Sequence, residues 1–423
     1  MSSTAPPGRS GPSTMPPSPA KVGLVLAGGA ARGAYEVGVL EHIVEHVSRD
    51  VGFDVPFDVI CGTSVGAINA CCVAAWADEH RARVARLASV WSGLKIHEIL
   101  RPMGGGVLDV ARGFFGRRPH VETGAIFDPS LLAQILTRSI PYERIDWQLR
   151  QGNISAVTCS ATQVATGRTV VFVQRRRAHP APWSETPAVI PRSVRLRAVH
   201  TLASAAVPLM FPAVRIDGRY YCDGGLRQNI PISPARRLGA THLLIINPKH
   251  RKVVGEGAAV EQAREEAFPS PLFLLGKTLN ALLLDRIDNE IDRFEKINSI
   301  IDAGTRHYGP TFVDALNEEL GKPKGKGLKR LISVHVRSSE NIGAMAADYV
   351  ASPSFHVPGM LGRIMKRLAE GEATREADLL SYLLFDGEFA RRLIEIGRRD
   401  AREHHEELCA LFTSQRELRE ATY

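Results

Sequence analysis

Two apolar segments near the N-terminus, each followed by a glycine-containing turn and a helical pattern, most constrain the fold. Val22 to Ala27 is a continuous apolar run, as parallel strands buried on both faces usually are. The turn 28–33 follows, and residues 34–47 then carry apolar side chains at helical spacing. Phe57 to Cys61 begins a second such unit, whose helix we expect from about Val65 to Ala77. This strand–helix–strand–helix order predicts an α/β fold, with a parallel sheet covered by helices on both faces.

The rest of the chain divides into three parts by composition and pattern. Residues 1–20 are rich in proline and serine and lack an apolar stretch, so they predict a disordered tail and no secretory signal. Residues 21–250 contain the strands and turns of the predicted core. Residues 251–423 are predicted to be a mainly helical extension, and their one late strand, 331–336, is a candidate to complete the core sheet.

Cysteine usage and hydropathy bear on the compartment. The six cysteines of the 423-residue chain show neither a C-x-x-C spacing nor a zinc-type Cys/His cluster. Cys71 and Cys72 lie in an apolar run and are interpreted as buried free thiols, which favours a reducing, cytoplasmic location. The uncharged stretch between Asp58 and Asp78 approaches the length of a membrane span, but glycine and polar residues interrupt its first half. We therefore expect no transmembrane segment.

The charge of the chain is mildly basic, with a net charge of +8 and a pI near 9.3. The segment from Arg168 to Arg197 contains seven arginines and one acidic residue, Glu185. In a separate segment, Phe114 and Phe115 are flanked by further arginines. Such segments are candidates for peripheral contact with an anionic membrane surface, although a solvated protein face is the more ordinary interpretation. No nucleic-acid-binding motif accompanies them, so nucleic acid is not an expected partner. The sequence leaves the oligomeric state open.

The first motif with chemical content is Gly62-Thr63-Ser64-Val65-Gly66, which matches G-x-S-x-G. A serine on a sharp strand-to-helix turn needs neighbours without side chains, because the backbone passes close to them. Its hydroxyl then projects at the N-terminus of a helix, whose dipole favours developing negative charge. An ordinary strand-to-helix turn is the alternative, and the flanking buried strand and helix favour a nucleophile.

The second motif is the turn after the first strand, which contains Gly28, Gly29, Ala30, Arg32 and Gly33. A glycine-rich turn offers free backbone N–H groups, which can hold an oxyanion during acyl transfer. Dinucleotide binding would require G-x-G-x-x-G, and Ala30 breaks that pattern. The turn also lacks the G-K-[ST] ending of a phosphate-binding P-loop.

The third motif is Asp223-Gly224-Gly225, which follows a predicted hairpin with its turn at Asp217-Gly218. An aspartate that ends a strand is placed at the edge of the sheet, where active sites gather. An ordinary Asp-Gly turn is the simpler interpretation when this motif is considered alone.

Together and in this order, the three motifs resemble those of the patatin-like phospholipases. The segment from Ala203 to Pro212, just before the Asp-Gly-Gly strand, is also similar to that family, and the resemblance covers roughly residues 21–250. It implies a three-layer α/β/α fold with a mainly parallel central sheet. It further implies a serine acyl hydrolase that cleaves fatty-acyl esters of phospholipids or lysophospholipids, without a metal or cofactor.

By position, the resemblance makes Ser64 the nucleophile and Asp223 the base of a Ser–Asp dyad. It assigns the oxyanion site to the turn 28–30, with Arg32 beside it, and implies an acyl-enzyme intermediate that water resolves. The chain departs from many family members at Ala30, where they have a third glycine. If this residue adopts a positive φ, the alanine costs about 1 kcal/mol.

Three alternatives remain at the level of sequence. In the first alternative, a histidine such as His200 or His242 serves as the base in place of Asp223, although no neighbouring motif supports either histidine. The same acyl-enzyme would support acyl transfer to an alcohol or thiol. The protein would alternatively be a catalytically silent lipid-binding or scaffold protein, which the presence of both Ser64 and Asp223 argues against.

Overall fold

The computed structural model describes residues 19–102, 125–176, 183, 186–250, 285–322, 327–370 and 377–421. Nearly all of the predicted N-terminal tail lies outside the described residues, as does the segment that contains Phe114 and Phe115. No described helix combines the length and apolar character needed to cross a bilayer.

The described residues form a nine-stranded, mostly parallel sheet. Its strands are β1 (Val22–Leu26), β2 (Val59–Thr63), β3 (Ala156–Gln163), β4 (Thr169–Arg175), β5 (Val189–Ser193), β6 (Val214–Ile216), β7 (Arg219–Asp223), β8 (His242–Asn247) and β9 (Ile332–Arg337). The main order is β5-β4-β3-β2-β1-β8-β9, and β7 pairs with both β3 and β6. Only the β3–β4, β3–β7 and β6–β7 pairs are antiparallel. The prediction of a mainly parallel central sheet is confirmed.

Helices follow most strands and cover both faces of the sheet. The described α-helices are α1 (Ala34–His42), α2 (Ser48–Val51), α3 (Val65–Ala75), α4 (Ala82–Ser92), α5 (Ile96–Ile99), α6 (Ser130–Ser139), α7 (Tyr142–Gln151), α8 (Ala198–Ser204), α9 (Ile232–Arg237), α10 (Asp285–Tyr308), α11 (Phe312–Glu319), α12 (Ile342–Ala351), α13 (Gly359–Glu370), α14 (Ala377–Leu383), α15 (Gly387–Glu403) and α16 (His405–Glu420). A π-helical turn at Ile43–Val47 joins α1 to α2, and short 3-10 turns occur at Ala30–Gly33 and Gly224–Leu226.

Alternate side chains of β1 enter two separate apolar cores. Leu24 and Leu26 point into the larger core, which α1, α3 and α15 close. Val25 points into the smaller core, where α9 and α10 cover the opposite face. A strand buried on both faces explains the continuous apolar run of its sequence. The helix–sheet–helix layering of the fold class is thereby confirmed.

The helical second half packs closely on the first. Strand β9 pairs in parallel with β8, so the late strand extends the core sheet. Helix α15 crosses α1 at two glycines, where a Cβ on Gly38 would overlap the carbonyl oxygen of Ile394 and one on Gly397 would overlap that of Tyr35. The two helices can approach this closely only because both positions lack a side chain.

Candidate active site

Ser64 occupies a sharp turn between β2 and α3. Its backbone has φ 54° and ψ −127°, which is strained for a residue with a side chain. The turn is tight because α3 begins against the end of β1: a Cβ on Gly66 would lie 2.6 Å from the carbonyl oxygen of Ala27. A Cβ on Gly62 would overlap the carbonyl of Gly66 itself. Ser64 thus lies where the sequence predicted a nucleophile, between Thr63 in β2 and Val65 in α3.

Asp223 meets Ser64 because two strands end against each other along the same edge of β3. Thr63, the last residue of β2, pairs with Ser160. The next residue of β3, Ala161, pairs with Asp223, the last residue of the antiparallel strand β7. The Ser64 hydroxyl donates a hydrogen bond of 2.6 Å from Oγ to Asp223 Oδ2. Residues 159 positions apart in the chain are therefore in direct contact.

The electrostatic setting of Asp223 suits a base. Its side chain is fully buried, and Oδ1 accepts a hydrogen bond of 2.7 Å from the Gly225 N–H. Burial raises the pKa of Asp223 to about 7, while the hydrogen bonds from Ser64 and Gly225 act in the opposite direction. No described residue forms a salt bridge with it. A carboxylate whose pKa lies near neutrality is matched to proton transfer at ordinary pH.

The Ala203–Pro212 segment, for which the sequence indicated no role of its own, holds both Ser64 and Asp223 in place. The Ser64 N–H donates to Ser204 Oγ at 2.9 Å, and the Ser204 hydroxyl donates to the Ser160 carbonyl at 2.5 Å. Two residues further on, the Ala206 carbonyl accepts from the Asp223 N–H at 2.9 Å. The start of the Ala203–Pro212 segment therefore fixes the nucleophile and the carboxylate against the same stretch of β3.

The glycine-rich turn lies beside Ser64, but its amides are not equivalent. A Cβ on Gly28 would lie 3.2 Å from Ser64 Cβ, so the turn approaches the serine closely. The Gly28 N–H donates to Asn229, at 2.7 Å to Oδ1 and 3.2 Å to the carbonyl, and is thus occupied. The amides of Gly29 and Ala30 have no acceptor among the described residues. Ala30 does adopt a positive φ, of 48°. Within the predicted oxyanion turn, the Gly28 amide is therefore engaged by Asn229, and the assignment of oxyanion donors stays a prediction.

Arg32 and Gly33 connect the turn to the surrounding helices. The buried Arg32 donates from Nε to Ser381 Oγ at 2.8 Å, and its guanidinium carbon lies 4.4 Å from the centre of the Tyr382 ring. A Cβ on Gly33 would press against Val65 at 2.6 Å. Arg32 thus links the turn to α14 across 349 positions of sequence, a contact that no local pattern indicates.

The histidines considered as alternative bases have structural surroundings. His200 Nδ1 accepts from the Arg197 N–H at 3.0 Å, its ring packs edge-on against Phe172, and burial lowers its pKa to about 4. His242 lies in β8 next to Thr241, whose hydroxyl is 2.9 Å from its Nδ1. No described histidine hydrogen-bonds to Ser64. Within the described residues, no group of three or more His, Cys, Asp or Glu side chains is arranged to hold a metal ion.

An apolar pocket begins at the residue next to the serine. It follows one face of α3 through Val65, Ile68 and Cys72, a distance of about 10 Å at the rise of an α-helix. Trp91 and Phe385, whose rings stack with centroids 6.5 Å apart, line it as well. Its lining is almost wholly aliphatic and aromatic, but its volume of about 50 Å³ is well below the roughly 300–1,000 Å³ of ligand pockets.

The comparison with protein families agrees with the sequence motifs. A family model described as patatin-like phospholipase matches residues 24–236. No curated protein matches the sequence. Among solved structures, the chain is similar to VipD from Legionella pneumophila, with 13% sequence identity and a TM-score of 0.35 over 92% of this chain and 68% of that one.

Proposed function

Because the chain belongs to the patatin-like phospholipase family, we propose that it is a serine acyl hydrolase acting on phospholipids or lysophospholipids through Ser64 and Asp223. The observation that carries this proposal is the 2.6 Å hydrogen bond from Ser64 Oγ to the buried carboxylate of Asp223. Family membership supports a lipid acyl hydrolase in general. The assignment of the dyad rests on the geometry of these two side chains.

In the proposed mechanism, Asp223 accepts the proton of Ser64 as its oxygen attacks the ester carbonyl. The resulting oxyanion is stabilised by the free amides of Gly29 and Ala30 and by the N-terminal end of α3. Collapse expels the alcohol part of the lipid, protonated by Asp223, and leaves a fatty-acyl ester on Ser64. Water activated by Asp223 then releases the fatty acid and restores the serine.

The fatty-acyl substrate of this proposal is supported by the family to which the chain belongs. The apolar pocket along α3, about 50 Å³ in volume, has room for only a short part of such a chain.

The test compares wild-type protein with Ser64→Ala and with the control Ser299→Ala, an exposed serine on α10. Release of fatty acid from phospholipid and lysophospholipid vesicles is followed by mass spectrometry. We expect Ser64→Ala to lower the rate by about a thousandfold or more and Ser299→Ala to leave it unchanged. Full activity in Ser64→Ala rules the proposal out. Product analysis with and without glycerol separates hydrolysis from acyl transfer.

A further inference from the structure

A second concave site, which we call the basic cleft, lies between the β3–β4 turn, α9 and α10. It has a volume of about 700 Å³. The cleft is lined by six cationic side chains: Arg168, Arg227, Arg236, Arg237, Arg293 and Lys329. No aspartate or glutamate occurs among the described residues that line it. Cations gathered in a concavity raise the local concentration of anions, so the cleft is suited to an anionic ligand.

Like charges lie close together in the cleft. Arg236 and Lys329 form no salt bridge with the residues whose side chains the structure describes. Burial, together with the positive charges of Arg237 and Arg293, lowers the pKa of Arg236. Positive charges held this close repel one another, and a bound anion reduces that repulsion. Phosphate is the anion that suits several guanidinium groups at once, because its oxygens accept paired hydrogen bonds.

One buried polar side chain in the cleft points to a second feature of the ligand. Gln228 lines the cleft and is only 7% exposed, yet its Oε1 has no hydrogen-bond partner among the described residues. A buried acceptor without a partner is destabilising, so a ligand that donates a hydrogen bond to it is bound more tightly. Hydroxyl groups are such donors. A ligand that carries phosphate groups for the arginines and a hydroxyl group for Gln228 is a phosphorylated polyol.

The basic cleft is built onto the turn that carries Asp223. Arg227 and Gln228 follow the Gly224–Leu226 turn, and both donate their backbone N–H groups to the Gly224 carbonyl, at 3.0 and 2.9 Å. The Arg227 side chain donates from Nε to the Gly167 carbonyl at 2.6 Å, which joins this turn to the end of β3. The cleft is therefore joined to the turn that follows Asp223.

We propose that the basic cleft binds a phosphorylated polyol, either free or as the headgroup of an anionic lipid. Arg236, Arg237 and Arg293 contact its phosphates and Gln228 accepts from a hydroxyl. Among the described arginines of the segment 168–197, only Arg168 contributes to the cleft, and Arg195, with its side chain 82% exposed, fits the solvated-face interpretation. The binding step does not depend on the chemistry of Ser64.

The experiment uses the full chain with Ser64→Ala, so that binding is measured without turnover. Inositol hexakisphosphate is the soluble probe, followed by calorimetry. Phosphatidylcholine vesicles containing phosphatidylinositol bisphosphate are the membrane probe, and vesicles containing phosphatidylserine at matched surface charge are compared by sedimentation. The cleft variants are Arg236→Gln with Arg293→Gln, and separately Gln228→Leu. The matched control is Arg363→Gln with Arg391→Gln, two exposed arginines outside the cleft.

We expect the soluble probe to bind, and the double cleft variant to weaken binding at least about tenfold while the control leaves it unchanged. Binding should also fall as salt is raised, since exposed charges are screened. A preference for bisphosphate vesicles over phosphatidylserine vesicles identifies a lipid headgroup, and binding of the soluble probe alone identifies a free ligand. Equal binding by cleft and control variants, or equal binding to both charge-matched vesicles without binding of the soluble probe, overturns the proposal. Both results are independent of whether the enzyme hydrolyses esters.

Discussion

Replacing Asp223 by asparagine should remove the proposed base and also stabilise the protein at neutral and alkaline pH. Asparagine has nearly the same shape, so its Oδ1 can keep the hydrogen bond from the Gly225 N–H. Its amide N–H can donate to Ser64 Oγ in place of the hydrogen bond that the carboxylate now accepts. The substitution therefore deletes a buried negative charge while it preserves packing and hydrogen bonding.

The magnitude follows from the pKa of Asp223, which burial raises from 3.8 to about 7. Below 3.8 the carboxyl is protonated in both the folded and the unfolded chain, and it contributes no difference. Between 3.8 and about 7 the unfolded chain ionises first, so the wild type loses stability as pH rises. Above about 7 the folded state is also ionised and the loss levels off. The accumulated cost of the buried charge is about 4 kcal/mol, an upper value because hydration of the site reduces it.

The assay is urea denaturation of wild-type and Asp223→Asn protein across this pH range. Titration of all other groups cancels in the difference between the two free energies of unfolding. We expect that difference to be near zero at acidic pH and to favour the variant increasingly until it levels above neutrality. Ser299→Ala, which removes no titratable group from the exposed face of α10, should show a flat difference. A flat profile for Asp223→Asn as well would refute the reasoning.

Three further predictions concern the pH dependence, the turn and the helix crossing. The value of kcat/KM for ester hydrolysis should rise with pH and level off above about 7, because Asp223 must be ionised; a profile unchanged across neutral pH contradicts this. Ala30→Gly should raise the free energy of unfolding by about 1 kcal/mol in urea denaturation, since it removes the strain of a positive φ, and a loss of stability would argue against that strain. Gly397→Val should lower the free energy of unfolding by about 3 kcal/mol, because no space exists between α1 and α15. The control Gly93→Ala, where an added Cβ comes no closer than 3.3 Å to a neighbour, should change it far less than Gly397→Val does.

Local sequence pattern was sufficient to predict the first half of the sheet. The continuous apolar runs of β1 and β2, and the helical spacing after each, are signals contained within a few neighbouring residues. The hairpin turn at Asp217-Gly218 is similarly local, and both residues adopt the positive φ values, 48° and 77°, that such a turn requires. The late strand was predicted at 331–336 and lies at Ile332–Arg337, but its place beside β8 depends on pairing that no local pattern records.

Local sequence pattern did not predict the residues that hold the candidate site in place. Asn229 occupies the Gly28 amide from 201 positions away, and Ser381 holds Arg32 from 349 positions away. These contacts arise from tertiary packing, and isolated Asn or Ser residues carry no signal that identifies a partner. Ser204 is the partial exception, because it lies in the segment that resembled the family, although only the structure shows which backbone groups it contacts.

Trapping of the acyl-enzyme tests the central claim most directly. Wild-type protein is mixed with an activated fatty-acyl ester, quenched in acid during the first turnover, and digested for peptide mass spectrometry. The account predicts that the acyl mass is found on Ser64 and that no adduct forms in Ser64→Ala. An acyl group on another residue, or ester cleavage that proceeds at full rate without any adduct on Ser64, would contradict it.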